Sequence, residues 1–212
     1  MNRKRALYTT LAAVFASLMV ITVWFTVPSA EPAATTFASV DFHVYSSVEE
    51  LTSVSDAVVI GTVNSVVGHE IDYGTANPEE EYGIFKDQIH GVAMVYYEIA
   101  VTQTLLGETD ETIIVARMDT EQIICAEVTP LRAGDEVLFF LTEKTEGEAP
   151  GLKLYDHFYV TVSLDNGVFD VLDDNTIQPR YAEAFVEPNE DGTFTAPAYN
   201  LNEVCEKIQS VN

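Results

Sequence analysis

Two hydrophobic periods run through the chain. Beyond residue 55 apolar residues mostly recur at every second position, while near residue 50 and at the C-terminus they recur every third or fourth. In "SDAVVIGTVNSVVG", Ser55 to Gly68, Val58 and Ile60 point one way and Ala57, Val59 and Val63 the other. Both faces are apolar up to Gly61; beyond it Thr62 and Asn64 turn polar while Val63 and Val67 stay apolar. The pattern predicts a strand covered on both sides at one end and on one side at the other. A strand running into a lone glycine also opens phosphate-binding loops. Neither G-x-G-x-x-G nor G-x-x-x-x-G-K-S/T occurs, so Gly61 reads as a bulge or a tight bend at a barrel corner.

"VAMVYYEIAVTQTLLG" carries the alternation along a second strand, with Val95, Tyr97, Ile99 and Val101 on one face and Glu98, Ala100, Thr102 and Thr104 on the other. "TIIVARM" (112–118) predicts a third strand, and "PLRAGDEVLFFLTEK" a turn at Ala133-Gly134 followed by a strand at Glu136–Thr142. In "YDHFYVTVSLDNGVFDVLD", Phe158, Val160, Val162 and Leu164 alternate up to Asp165-Asn166-Gly167, a tight-turn signal that predicts a hairpin. "VEPNEDGTF" predicts one further turn. Three aromatic pairs, Tyr96-Tyr97, Phe139-Phe140 and Phe158-Tyr159, fall on these strands. One member of each faces the core; the other is buried under a covering segment or offers a platform to a partner or sugar.

Helical spacing appears twice. "YSSVEELTSVSD" offers Ser46 or Ser47 as cap, Glu49 and Glu50 in the first turn, and Val48, Leu51 and Val54 on one face. "YNLNEVCEKIQSVN" caps near Asn200 or Asn202 and aligns Leu201, Val204, Cys205 and Ile208. Residues 68–91 form a long connection containing three successive acids, Glu79, Glu80 and Glu81. Strand–helix alternation is absent, so the expected fold is mainly β: a small antiparallel OB-like barrel with an early short helix and a C-terminal helix.

The N-terminus decides where such a domain sits. Arg3, Lys4 and Arg5 precede 22 mostly apolar residues, Ala6 to Val27, and no charge follows until Glu31. A signal-peptide core needs ~7–15 apolar residues and a spanning helix ~20. Residues 1–30 therefore read as a transmembrane signal anchor or a signal peptide, cleavage after Ser29 placing Val27 at the minus-three position. The basic start stays in the cytoplasm and everything after Pro28 lies outside. Residues 31–45, opening "EPAATTFASVD", read as a linker, and 46–212 as one exported domain. The chain is thus expected as a single-pass membrane protein with its C-terminal domain outside, or as a secreted protein.

Charge narrows the partners. Residues 31–212 hold all 34 acidic residues and seven of the ten basic ones, a balance of −27. Such a field repels phosphate backbones and anionic head groups, which argues against nucleic acid and limits membrane contact to the N-terminal helix. The plain reading is a solvated surface; the sharper one is an acidic face for divalent cations or a basic partner. Cys125 and Cys205 can form one disulfide in an exported chain, closing a loop of roughly 80 residues that stabilises by roughly 4 kcal/mol in the chain-entropy account. No Asn-x-Ser/Thr sequon is present.

The succession "SDAVVIGTV", "YYEIAVTQTLLG", "LRAGDEVLFFL" and "DNGVFDV", spanning residues 46–172, resembles exported bacterial proteins with an OB-type barrel. More distantly it is similar to the netrin-like domain of tissue inhibitors of metalloproteinases. That family holds the protease zinc through an N-terminal Cys-x-Cys and braces its barrel with several disulfides. This chain has two cysteines, neither near the mature N-terminus, so the resemblance implies the fold and not the inhibition.

Catalytic and metal motifs are sparse. His43, His69, His90 and His157 are scattered, and His69-Glu70 lacks the second histidine of a zinc-protease helix. His69 and His90 flank the same connection and could meet at a metal with Glu70 or Asp72; surface imidazoles are the plainer account. Neither G-x-S-x-G nor S-x-x-K occurs. Cys125 in "QIICAEV" reads as a buried or bridged thiol. "DNGVFDVLDDN" and "NEDG" are acidic turns without the spacing of a calcium loop, and hairpin turn chemistry explains both; no cofactor is predicted, with calcium the cation kept as a candidate. The expected function is a non-catalytic binding or interaction module outside the cytoplasm, its partner an envelope or extracellular protein. Its contact loop would hold His69, Asp72, Glu79, Glu80 and Glu81. The alternatives are an acidic cation-binding envelope protein and an envelope hydrolase with residues 68–91 as lid.

Overall fold

Long alternating runs become strands wherever both of their edges find partners. In the computed structural model of the chain, the described residues are 36–37, 43–72, 92–121, 123–124, 128–145, 148–149, 151–172, 175–186 and 197–211. They belong to one unit, Thr36–Asn212. Residues 1–30 lie outside the described set; within it, no helix is long and apolar enough to cross a membrane.

In chain order the elements are β1 (Thr36–Phe37), α1 (Val48–Ser53), β2 (Ala57–Asp72), β3 (Val92–Leu106), β4 (Thr112–Met118), β5 (Ile123–Ile124), β6 (Glu136–Thr145), β7 (His157–Thr161), β8 (Val168–Leu172), β9 (Thr176–Pro179), β10 (Tyr199–Asn200) and α2 (Leu201–Ser210). The protein is mainly β, with an eight-stranded sheet in the order β10-β9-β8-β6-β2-β3-β4-β7. β2, β3 and β4 pair antiparallel in succession, β7 adds parallel to β4, and β6 pairs antiparallel with both β7 and β2. Pairing thus returns to its starting strand.

β2 bears out the two-faced reading. Ala57, Val59 and Val63 enter one core cluster with Val95, Tyr97, Ile99, Val115, Phe139 and Tyr159. Val58 and Ile60 enter a second cluster with Phe140, Phe169 and Ile177, closed by Leu51 of α1 and by Val204 and Ile208 of α2. The register against β3 shifts between Ile60 and Gly61, where a Cβ on Gly61 would stand 2.6 Å from Ile99 Cγ2 and 2.9 Å from the Ala100 carbonyl oxygen. A side chain there would hold the two strands apart, so glycine marks the bend.

All six paired aromatics are buried. Tyr97, Phe139 and Tyr159 line the first cluster, Phe140 lies beneath the helices, and Tyr96 and Phe158 are covered by Leu152 and Tyr155. No outward platform remains at these pairs. Each such burial stabilises by roughly 1.5–3 kcal/mol.

The helices form as their caps dictate. Ser47 rather than Ser46 caps α1, its hydroxyl accepting from the Glu50 N–H, and Asn200 rather than Asn202 caps α2. Val54, expected on the apolar face of α1, is its C-cap and is exposed, while Thr52 is buried, donating its hydroxyl to the Val48 carbonyl.

Two expectations are corrected. β7 and β8 do not form a hairpin: both run antiparallel to β6, β7 against Leu141–Thr145 and β8 against Val137–Phe139. Between them Leu164–Gly167 makes a 3-10 turn, entered through left-handed Ser163 and Leu164, and the chain continues without reversing. Asp165 and Asn166 are buried in this excursion, so the turn-forming residues serve internal hydrogen bonds. The connection after β2 begins later than Gly68, because Gly68 to Asp72 pair with Val92 to Tyr96. Within residues 31–45, Thr36–Phe37 pair parallel with Ile123–Ile124, and the Tyr45 backbone exchanges hydrogen bonds of 2.7 and 3.1 Å with the Asn166 amide. The turn expected in "VEPNEDGTF" falls mostly outside the described residues.

Candidate functional site

Only two of the expected contact residues fall among the described ones. His69 and Asp72 lie on β2, and Glu79, Glu80, Glu81 and His90 lie outside the described residues. His69 Nδ1 stands 3.0 Å from Asp119 Oδ2. Glu70 accepts from the Tyr96 hydroxyl at 2.9 Å and from the backbone N–H groups of Lys153 and Leu154 at 2.9 and 3.0 Å. These bonds pin residues 152–155 over β2 and leave Glu70 little capacity for a metal. Burial first, then the Glu70 carboxylate, raises the Tyr96 phenol above its ordinary value. Among the described residues, no group of three or more His, Cys, Asp and Glu is placed to hold a metal. Cys125 is outside the described residues; Cys205 is a half-buried thiol on α2, its acidity weakened by burial.

The chemistry gathers elsewhere, around residues 129–136. Seven basic residues follow position 30, and only three of them are arginines: Arg117, Arg132 and Arg180. All three converge on this segment. Arg117 projects from β4 into the interior with its side chain 2% exposed, ion-paired to an equally buried Asp165 and donating to the Thr129 carbonyl at 3.1 Å. Asp165 also accepts from the Thr129 N–H at 2.7 Å and hydroxyl at 2.5 Å. Burial pulls the Arg117 guanidinium down from its ordinary value and Asp165 opposes that pull. A buried cation requires such a partner, since desolvation alone costs several kcal/mol.

Arg180 follows β9 and clamps the surface above this pair. Its Nε and Nη2 donate to Asp170 at 2.8 and 2.5 Å, Nη2 to Asp135 at 3.1 Å, and Nη1 to the Pro130 carbonyl at 3.2 Å. One side chain thereby ties β8 to the turn entering β6. That turn is set by Gly134, whose φ of +91° is strained for a side-chain-bearing residue.

Beyond this clamp the sheet divides. β8 pairs with β6 only as far as Asp170, yet continues beside β9 to Leu172. β6 and the turn before it stay with β2, Gly134 N–H donating to the Val63 carbonyl. An open cleft of about 660 Å3 lies at the division, lined by Pro130, Arg132, Asp135, Glu136, Asp170, Val171, Leu172 and Arg180 among others. Arg180 is spent on the clamp. Among the described residues the Arg132 guanidinium, the Glu136 carboxylate and Asp170 Oδ2 make no hydrogen bond, and Leu172 is 42% exposed.

The cleft was not legible as a site in the sequence, because its residues come from three separated segments with no motif. One signal was available: Arg117 interrupts the apolar strand "TIIVARM", and a lone charge there requires a buried acid. No protein-family model matches the chain, and no curated protein matches it.

Proposed function

We propose that the chain is a non-catalytic binding or interaction module held outside the cytoplasm by residues 1–30, its domain an OB-type barrel. Strand order supports the fold: a meander of β2, β3 and β4, a parallel β4–β7 pair, and β6 joining β7 back to β2 follow the OB connectivity. The observation that carries the function is the cleft where β8 leaves β6, with charged groups that pair with no other described residue. A rigid barrel presenting an irregular rim suits binding by the rim.

The partner on this reading is an envelope or extracellular protein. Cross-linking of the C-terminally tagged chain in intact cells of the source organism, followed by mass spectrometry, should return one recurrent envelope protein. Recovery of background alone would remove the reading. The second reading, an acidic protein that holds divalent cations such as calcium, is favoured by the −27 balance of residues 31–212. A calcium titration with heat and a rise in melting temperature would support it instead.

A further inference from the structure

We propose that the cleft between β6 and β8 receives an extended segment of a partner protein carrying a lysine or arginine. The inference rests on the interaction-module reading and specifies its surface and partner chemistry.

The backbone supplies the first half of the argument. β9 continues to pair with β8 at Val171 and Leu172, but β6 has already turned away, so on its β6 side the end of β8 borders the cleft and, among the described residues, no strand. An extended peptide can add to such an edge through main-chain hydrogen bonds, which fix its direction and register. Gly134 and Arg180 hold the opposite wall in place, so the gap is formed before any ligand arrives.

Side chains supply the second half. Among the described residues of the cleft, Glu136, Asp170 Oδ2 and Asp135 Oδ1 accept no hydrogen bond, against one cation, Arg132, whose guanidinium donates none. Pro130 and Leu172 give an apolar wall for the stem of a basic side chain, whose head would reach the carboxylates. The surrounding field of −27 concentrates cations and repels anions, which decides the sign of the ligand. Arg132 then opposes a second adjacent cation, favouring a single basic residue in an otherwise neutral strand.

The test uses the full chain and a fluorescein-labelled pentapeptide, Thr-Val-Lys-Val-Thr, followed by anisotropy. Acetylating its lysine should weaken binding by about fivefold or more, the loss of at least one exposed ion pair. Glu136→Gln should weaken the peptide by about fivefold, the upper range for an exposed ion pair. Glu206→Gln, the same charge change on exposed α2, should alter it less than about twofold under the same reasoning. Arg132→Gln should leave binding unchanged or tighter. Equal weakening by Glu136→Gln and Glu206→Gln would overturn the proposal in favour of a diffuse field. Absence of binding at millimolar peptide would also overturn it, while a recurrent cross-linked partner in cells would still uphold the broader module.

Discussion

Replacing Asp165 with asparagine removes one charge and preserves the side-chain shape. In the folded protein Asp165 pairs with Arg117 and accepts both polar groups of Thr129. Both charged side chains are 2% exposed, so Asp165→Asn leaves a guanidinium with neither water nor counter-charge. Breaking a buried pair in this way costs about 3–5 kcal/mol. With a urea dependence near 2 kcal/mol per molar for a domain of this size, the unfolding midpoint should fall by about 2 M. Far-UV circular dichroism against urea measures it. The double variant Arg117→Met with Asp165→Leu should recover part of the loss, because exchanging the pair for apolar groups removes both desolvation costs while the polar groups of Thr129 lose their partners. A loss below about 1 kcal/mol for Asp165→Asn, in the range of a surface pair, would refute the buried-pair account.

Gly61→Ala places a methyl against Ile99 and the Ala100 carbonyl and should cost about 1–3 kcal/mol, read as a shift in the urea midpoint; a neutral result would contradict the tight β2–β3 approach. Burial and Glu70 raise the Tyr96 phenol, so between the ordinary tyrosine value near 10 and its folded value the native state holds a proton the unfolded chain has lost. Stability should therefore be full below about pH 10 and fall above it, with absorbance at 295 nm and circular dichroism changing together. Loss of a step near pH 10 from the 295 nm titration on Tyr96→Phe, with the fold intact, would contradict the raised Tyr96 phenol. Salt at about 1 M should raise the melting temperature by several degrees, since screening relieves self-repulsion of the acidic domain; an unchanged value would mean its carboxylates are too far apart to matter.

The strands were legible where one residue in two faces a core. β3 and β4 fall within a residue of the expected ranges because Val95, Tyr97 and Ile99 cannot face water without losing that core. The cap and buried face of α2 were legible for local reasons: Asn200 accepts from the Asn202 and Glu203 N–H groups, and Val204 and Ile208 recur at helical spacing. Asp165-Asn166-Gly167 misled because its turn chemistry is local, whereas its use depends on Arg117, 48 residues away in sequence, and on Tyr45, 121 residues away. Pairing partners of β7 and β8 are likewise non-local: either strand could have paired with the other, and the β6 edge takes both. His69 looked like a loop residue because "GHEID" is polar, yet backbone pairing with Val95 extends β2 through it. The cleft depends on where two strands separate, which no periodicity encodes.

The most direct measurement of the binding account is site-specific photo-cross-linking in living cells. A photoreactive residue at Leu172, in the cleft, would be compared with one at Glu206 on the exposed side of α2. The account predicts a single recurrent adduct from position 172, absent at 206 and diminished by Glu136→Gln. Identical adducts from both positions, or none from 172 alongside a partner captured at 206, would contradict it.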